Sequence, residues 1–120
     1  MAKDDYNYLV FKILTYLYAC LRRRCCFESA AFLKKIITPE VQEDYLVDVL
    51  RFMAREGLIE GLAFVKVWGN NYVLANNYAD MCITPQGIRY LLDNDTMQQV
   101  KKAILEGAPG IVLDLVKLAL

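Results

Sequence analysis

The spacing of apolar positions divides the chain into helices that flank a strand-rich middle. In the first segment, apolar residues recur every three or four positions, which predicts a helix from a cap at Asp4 or Asp5 to about Arg24. Its narrow polar stripe consists of Asp5, Lys12, Thr15 and Arg22. A helix this apolar is expected to be buried on several sides, either centrally in the fold or against another subunit.

Two further helices are predicted before the first strand. A short one covers Ser29–Ile37. Thr38 and Pro39 then form a restart signal, because threonine is a frequent N-cap and proline is tolerated at the first helical position. The third helix is therefore predicted from Pro39 to about Glu56, with Gly57 ending it.

The middle of the chain is typical of strands and tight turns. Leu58–Val67 is rich in branched and aromatic residues and predicts one strand. Trp68–Asn71 is a turn, and Tyr72–Leu74 predicts a short second strand. After a loop at Asn76–Asp80, a returning strand is predicted over Met81–Ile83.

Helices are predicted again in the last third of the chain. Thr84-Pro85 repeats the cap-plus-proline pattern and starts a fourth helix. Asp93–Asp95 interrupts it, and Met97–Glu106 forms the fifth helix, which Gly107–Gly110 ends. The last ten residues, Ile111–Leu120, contain two polar side chains.

The apolar excess favours an interaction surface. Exposed apolar patches often mark contacts between proteins, so the first helix and the tail predict a twofold homodimer. The alternative is that the tail packs on its own core.

Composition narrows the function classes. The 120 residues suit one domain, 57% are hydrophobic, and 14 basic residues balance 14 acidic ones. A disordered tail and a strongly basic nucleic-acid wrapper are excluded. Because the chain has no histidine, Ser-His-Asp and Cys-His catalysis and HExxH zinc sites are excluded as well. No glycine-rich phosphate loop is present, so no enzymatic activity and no cofactor are expected.

The cysteines and the apolar runs favour an intracellular protein. Cys20, Cys25, Cys26 and Cys82 contain no CxxC pair, so no metal site is expected and free, partly buried thiols are favoured. Redox sensing by Cys25 and Cys26 is the alternative, since the neighbouring arginines favour a thiolate. The longest apolar stretch is interrupted by polar residues, which predicts no membrane span and a cytoplasmic protein.

The element order predicts an α+β fold. Three helices followed by a two-stranded hairpin are the order of the winged-helix variant of helix-turn-helix. We expect a winged-helix domain over residues 1–93 and a C-terminal helical extension over 94–120 that serves packing or dimerisation. In this frame Pro39–Glu56 corresponds to the recognition helix.

A short segment in the second half of the chain resembles a known protein family. Ile83-Thr84-Pro85-Gln86-Gly87-Ile88-Arg89-Tyr90-Leu91, followed by Asp93–Asp95 and Met97, resembles the YjcQ-like family. The opening phrase Ile13–Leu17 also fits, and the resemblance extends over residues 5–106. It implies a small winged-helix protein of Gram-positive bacteria and their phages, located in the bacterial host cell. It also implies a role like that of a transcription regulator bound to double-stranded DNA.

The charged residues of the chain bear on whether it binds DNA. The candidate DNA-binding residues are Arg22, Arg23, Arg24, Lys34, Lys35, Gln42, Arg51, Arg55 and Lys66. The outward positions of the third helix are predicted to be Glu40, Glu43, Asp44, Val47, Asp48, Arg51 and Arg55. Five acids and two bases lie in Pro39–Glu56, whereas binding to phosphates requires cations. The alternative function is therefore a winged-helix module that binds a protein partner and no DNA.

Overall fold

A computed structural model describes residues 5–107 and 110–120. Helix α2 begins as one α-helical turn over Ser29–Ala31 and continues as a π-helix over Phe32–Ile37. The other α-helices of the described residues are α1 (Asp5–Leu21), α3 (Glu43–Arg55), α4 (Pro85–Asp93), α5 (Asp95–Gly107) and α6 (Ile111–Ala119), and a 3₁₀ helix covers Tyr78–Asp80. The predicted cap at Asp4, the side chain of Asp5, and Ala108 and Pro109 of the predicted break lie outside the described part of the chain.

In the part of the chain that the structure describes, four short strands form two antiparallel pairs. Strand β1 (Ile59–Glu60) pairs with β4 (Cys82–Ile83). Strands β2 (Phe64–Lys66) and β3 (Tyr72–Leu74) pair with each other to form a hairpin. The described residues therefore have the predicted α+β composition of helices and small antiparallel sheets.

Helix α1 occupies the centre of the fold. It contacts α2, α3, α4, α5, α6 and β4. Lys12 and Thr15, two members of the polar stripe, are buried together with the apolar positions. Helical backbone and a neighbouring ring accommodate them: the Thr15 hydroxyl donates to the Phe11 carbonyl at 2.7 Å, and the Lys12 ammonium lies 4.6 Å from the centre of the Tyr8 ring.

The apolar tail packs on this central helix. Leu115, Val116 and Ala119 of α6 are buried, and the Arg22 guanidinium donates to the Ala119 carbonyl at 2.7 Å. Much of the apolar surface that favoured a homodimer is therefore covered within one chain, and dimerisation stays a prediction. Within residues 5–107 and 110–120, no helix combines the length and the apolar character needed to cross a bilayer.

Helix α1 ends at Leu21, three residues before the predicted end. Arg23 has a φ of 63°, a left-handed conformation that stops the helix. The Arg24 amide donates to the Ala19 carbonyl at 2.9 Å, and the Arg23 amide donates to the Cys20 carbonyl at 3.1 Å. These two bonds form a Schellman cap, with arginine at the position where glycine is usual.

The predicted start of the third helix is also wrong. Helix α3 begins at Glu43, with Gln42 as the N-cap residue, and not at Pro39. Thr38 is not the N-cap of α3 but the C-cap of α2, with a φ of 78° and an amide that donates to the Leu33 carbonyl in the last π-helical turn. The Val41 amide then donates to the Thr38 carbonyl at 3.2 Å and closes a turn before α3.

The strand predicted over Leu58–Val67 is split into β1 and β2. Gly61, with a φ of 98°, breaks it where the Asp80 backbone carbonyl approaches so closely that a β-carbon would overlap it. The Asn76 side chain stabilises the backbone between the two strands by two hydrogen bonds. It accepts from the Ala63 amide at 3.0 Å and donates to the Gly61 carbonyl at 2.8 Å. The two halves therefore join different sheets.

The segment Ile83–Leu91 is bonded to the end of α3 through Thr84 and Gln86, and we call this contact the clasp. The Thr84 side chain caps α4 by accepting from the Gly87 amide at 2.9 Å, as predicted, and its hydroxyl donates to the Gly57 carbonyl at 2.5 Å. The Gln86 side-chain amide donates to the Glu56 carbonyl at 2.6 Å. This clasp fixes the direction in which the chain leaves α3 for the hairpin.

Candidate interaction groove

Helix α3, strand β3 of the hairpin and the Asn76–Tyr78 segment line a groove of about 420 Å³. Its walls include Ser29, Glu43, Asp44, Tyr72, Asn76 and Tyr78. Val47, which was predicted to face outward, is only 4% exposed because α3 packs against β3 at this point. The face of α3 assigned to DNA is therefore partly covered by the hairpin.

Two acidic side chains of the first turn of α3 reach the groove. Glu43 accepts a hydrogen bond from the Tyr78 hydroxyl at 3.1 Å, and Asp44 lies next to it on an exposed position. Burial, followed by the negative charge and the hydrogen bond of Glu43, raises the pKa of Tyr78 to about 12. Tyr78 is therefore protonated at neutral pH and orients the Glu43 carboxylate.

Tyr78 is itself positioned by the core. It lies in the short 3₁₀ helix Tyr78–Asp80, which begins with a capping box between Asn77 and Asp80. Its ring centre lies 5.7 Å from that of Phe32, a fully buried residue of α2. The groove thus has one wall attached directly to the hydrophobic core.

Arg51 is engaged by the hairpin. Its guanidinium lies 4.0 Å from the centre of the Tyr72 ring and 4.9 Å from that of Phe52, and one nitrogen is 3.5 Å from an Asp48 carboxylate oxygen. The side chain is 18% exposed, and its Nε atom is buried with no hydrogen-bond partner among the described residues. This geometry braces α3 against β3 and leaves little of Arg51 accessible to a base edge.

The other predicted DNA-binding residues of α3 and the hairpin do not line the groove. Gln42 is the exposed N-cap residue of α3. Arg55 is exposed, with its guanidinium 5.5 Å from the Phe52 ring centre. Lys66 is exposed on β2 and pairs across the hairpin with Tyr72, so it is close to the Arg51 contact.

The remaining candidate cations belong to other parts of the fold. Arg22, Arg23 and Arg24 are exposed at the C-terminal cap of α1, where Arg22 bonds to the end of α6. Lys34 and Lys35 are exposed in the π-helical part of α2. Lys34 and the acidic Glu43 line one shared cavity of about 380 Å³.

Sequence reasoning missed the aromatic and amide residues of the groove. Tyr72, Asn76 and Tyr78 were assigned only to a strand and a loop. The spacing of Asn77 and Asp80, an amide followed three positions later by a carboxylate, is a capping-box signal that predicts a helical turn there. Within residues 5–107 and 110–120, no group of three or more Cys, Asp or Glu side chains is placed to hold a metal ion.

Comparison with known proteins identifies one family. The family model described as YjcQ protein matches residues 11–106, which include the groove, the hairpin and the clasp. No curated protein and no solved structure matches the chain significantly.

Proposed function

The chain belongs to the YjcQ family, and we propose that it is a winged-helix module that binds a basic segment of a partner protein in the groove between α3 and the β2–β3 hairpin. The order of α1, α2, α3 and an antiparallel hairpin supports the winged-helix assignment. The hairpin takes the place of the wing, and α3 takes the place of the recognition helix.

The choice of a basic ligand rests on the charged and aromatic residues that line the groove. Both charged residues that line the groove, Glu43 and Asp44, are acidic, and the rings of Tyr72 and Tyr78 lie in the same walls. A guanidinium or ammonium group can pair with a carboxylate and rest on an aromatic face. An arginine or lysine side chain therefore fits this groove in charge.

Duplex DNA fits the same surface poorly. A phosphate that approached the start of α3 would meet Glu43 and Asp44, and Asp48 lies one turn further on. Affinity for DNA depends mainly on cations that neutralise phosphates, and the Arg51 guanidinium is already packed against Tyr72 and Asp48. The candidate cations Arg22–Arg24 lie at the end of α1, a different part of the fold.

Neutralising the acidic wall is expected to weaken binding of a basic peptide. The probe is a fluorescein-labelled peptide of Arg-Gly-Ser repeats, measured by anisotropy. In the double variant Glu43→Gln, Asp44→Asn, affinity should fall roughly five- to tenfold, because two exposed ion pairs at about 0.5–0.7 kcal/mol each are lost. Glutamine keeps an oxygen that accepts from Tyr78, so the local structure should persist.

The matched controls separate this site from general charge attraction. Asp114→Asn removes an exposed carboxylate of α6 and should leave the affinity unchanged. A peptide with glutamate in place of arginine should not bind. Equal affinity of the wild type and the double variant, or equal losses in the double variant and in Asp114→Asn, would overturn the proposal.

A further inference from the structure

Two thiols meet at the C-terminal end of α1. The Sγ atoms of Cys20 and Cys25 are 3.6 Å apart and share an S–H···S contact. Cys20 lies in the last turn of the helix and Cys25 follows the Schellman cap, so the turn Leu21–Arg24 brings the two side chains together. Both residues are partly buried, whereas the adjacent Cys26 is exposed.

The backbone on both sides of the pair is held in place. The Schellman bonds of Arg23 and Arg24 fix the start of the turn on Cys20 and Ala19. Beyond the pair, the Tyr16 hydroxyl donates to the Cys26 carbonyl at 3.3 Å and accepts from the Glu28 amide at 3.0 Å. The meeting of the two sulfur atoms therefore follows from the fold itself.

We propose that Cys20 and Cys25 form an oxidisable dithiol that a hydroperoxide converts to an intramolecular disulfide. This site is independent of the acidic groove. A disulfide bond is about 2.0 Å long, so the sulfur atoms must approach each other by rotation of their side chains. The product would close the turn that carries Arg22, Arg23 and Arg24 covalently onto α1.

The chemistry takes two balanced steps. The Cys25 thiolate attacks the terminal peroxide oxygen, the O–O bond breaks, and the leaving alkoxide or hydroxide takes up the proton that the Cys25 thiol had released, which gives a sulfenic acid on Cys25 and an alcohol or water. The Cys20 sulfur then attacks the Cys25 sulfur, the S–O bond breaks, and the hydroxide leaves as water with the proton of Cys20. Two thiols are oxidised by two electrons and one hydroperoxide is reduced.

The roles of the two cysteines follow from their surroundings. Burial, followed by the hydrogen bond and charge of Cys25, raises the pKa of Cys20 to about 12. Cys20 is therefore a thiol at neutral pH and acts second, as the resolving group. The sequence alternative of redox sensing named Cys25 and Cys26, whereas the structure brings Cys20 next to Cys25.

Mass spectrometry of the peroxide-treated full chain tests the proposal. The intact mass should fall by two hydrogen atoms. Trypsin should then yield the peptide Ile13–Arg22, with Cys20, joined to the peptide Cys25–Lys34. The cross-link should persist in Cys26→Ser and in Cys82→Ser. It should be absent in Cys25→Ser, whose circular dichroism spectrum checks that it is folded.

Other products would overturn the proposal. If Cys20 still reacts with iodoacetamide after wild-type chain has been treated with peroxide, no disulfide has formed at this site. A Cys25–Cys26 bond, a link between two chains, or oxidation of Cys82 while Cys20 and Cys25 stay reduced would also contradict it. The Cys26→Ser variant identifies the partner of Cys20. In this variant Cys25 is the one cysteine left in the peptide Cys25–Lys34, so a cross-link to that peptide must involve Cys25.

Discussion

Replacing Phe32 with alanine is expected to lower the free energy of unfolding by about 3–5 kcal/mol. The Phe32 ring is fully buried and lies at the junction of several elements. Its centre is 6.0 Å from the Tyr16 ring in α1, 5.3 Å from Phe27, and 5.7 Å from Tyr78 in the groove wall. Removing it leaves a cavity where these rings meet. Urea denaturation followed by circular dichroism measures the loss.

The same substitution on the surface supplies the control. Phe52 of α3 is 37% exposed, and its ring contacts Arg51 and Arg55 at the protein surface. Phe52→Ala should cost about 1–2 kcal/mol, less than Phe32→Ala, because the Phe52 ring is only partly buried and its removal opens no enclosed cavity. If the two variants lose equal stability, the aromatic cluster around Phe32 is not a centre of the core.

Replacing Gly87 with alanine is expected to destabilise the chain by about 1–3 kcal/mol, although alanine is the better helix former. Gly87 is buried in α4, and a β-carbon there would overlap the Leu58 carbonyl oxygen and lie 2.9 Å from Cγ1 of Ile83. The close approach of α4 to β1 therefore requires a residue without a side chain. The melting temperature and the urea midpoint should both fall.

A second helical glycine serves as the control, because replacing it with alanine should not lower the stability. Gly107 ends α5, and a β-carbon built there meets no atom within 4 Å. Gly107→Ala should therefore be neutral or raise stability by up to about 1 kcal/mol, as helix propensity alone predicts. If Gly87→Ala behaves in the same way, the contact with Leu58 does not constrain the fold.

Two identical dipeptides show where local sequence is sufficient to predict structure. Thr84-Pro85 begins α4 as predicted, because the Thr84 side chain accepts from the Gly87 amide. Thr38-Pro39 does not begin α3, because Thr38 ends a π-helical turn with a positive φ and its amide is bonded to Leu33. The difference depends on the preceding helix, whose π-helical winding leaves no signal in the dipeptide itself.

Other differences arise from contacts distant in sequence. The residue pattern of Leu58–Val67 suits a strand, yet the approach of the Asp80 backbone to Gly61 divides it in two. The periodicity of α1 predicted a buried helix correctly. It could not place Lys12 and Thr15 inside, because polar residues are buried only where partners such as the Tyr8 ring and the Phe11 carbonyl accept them.

Of the residues that form the candidate site, only the acidic side chains of α3 could be predicted from the sequence. The acidity of the third helix was visible in Glu43, Asp44 and Asp48, and it favoured a protein partner before the fold was considered. The groove itself also needs Tyr72 and Tyr78, which are brought to α3 by the hairpin and the 3₁₀ turn. Pairing between these segments is a tertiary effect, so no local pattern indicated it.

Competing ligands provide the most direct test of the proposed binding groove. Wild-type chain is titrated into labelled Arg-Gly-Ser peptide and, separately, into labelled random-sequence duplex DNA, each over a series of salt concentrations. We expect the peptide to bind at low salt and duplex DNA to give no change in anisotropy. No binding of the peptide at low salt, or micromolar DNA binding that weakens steeply with added salt and displaces the peptide, would contradict the assignment of the groove to a basic protein segment.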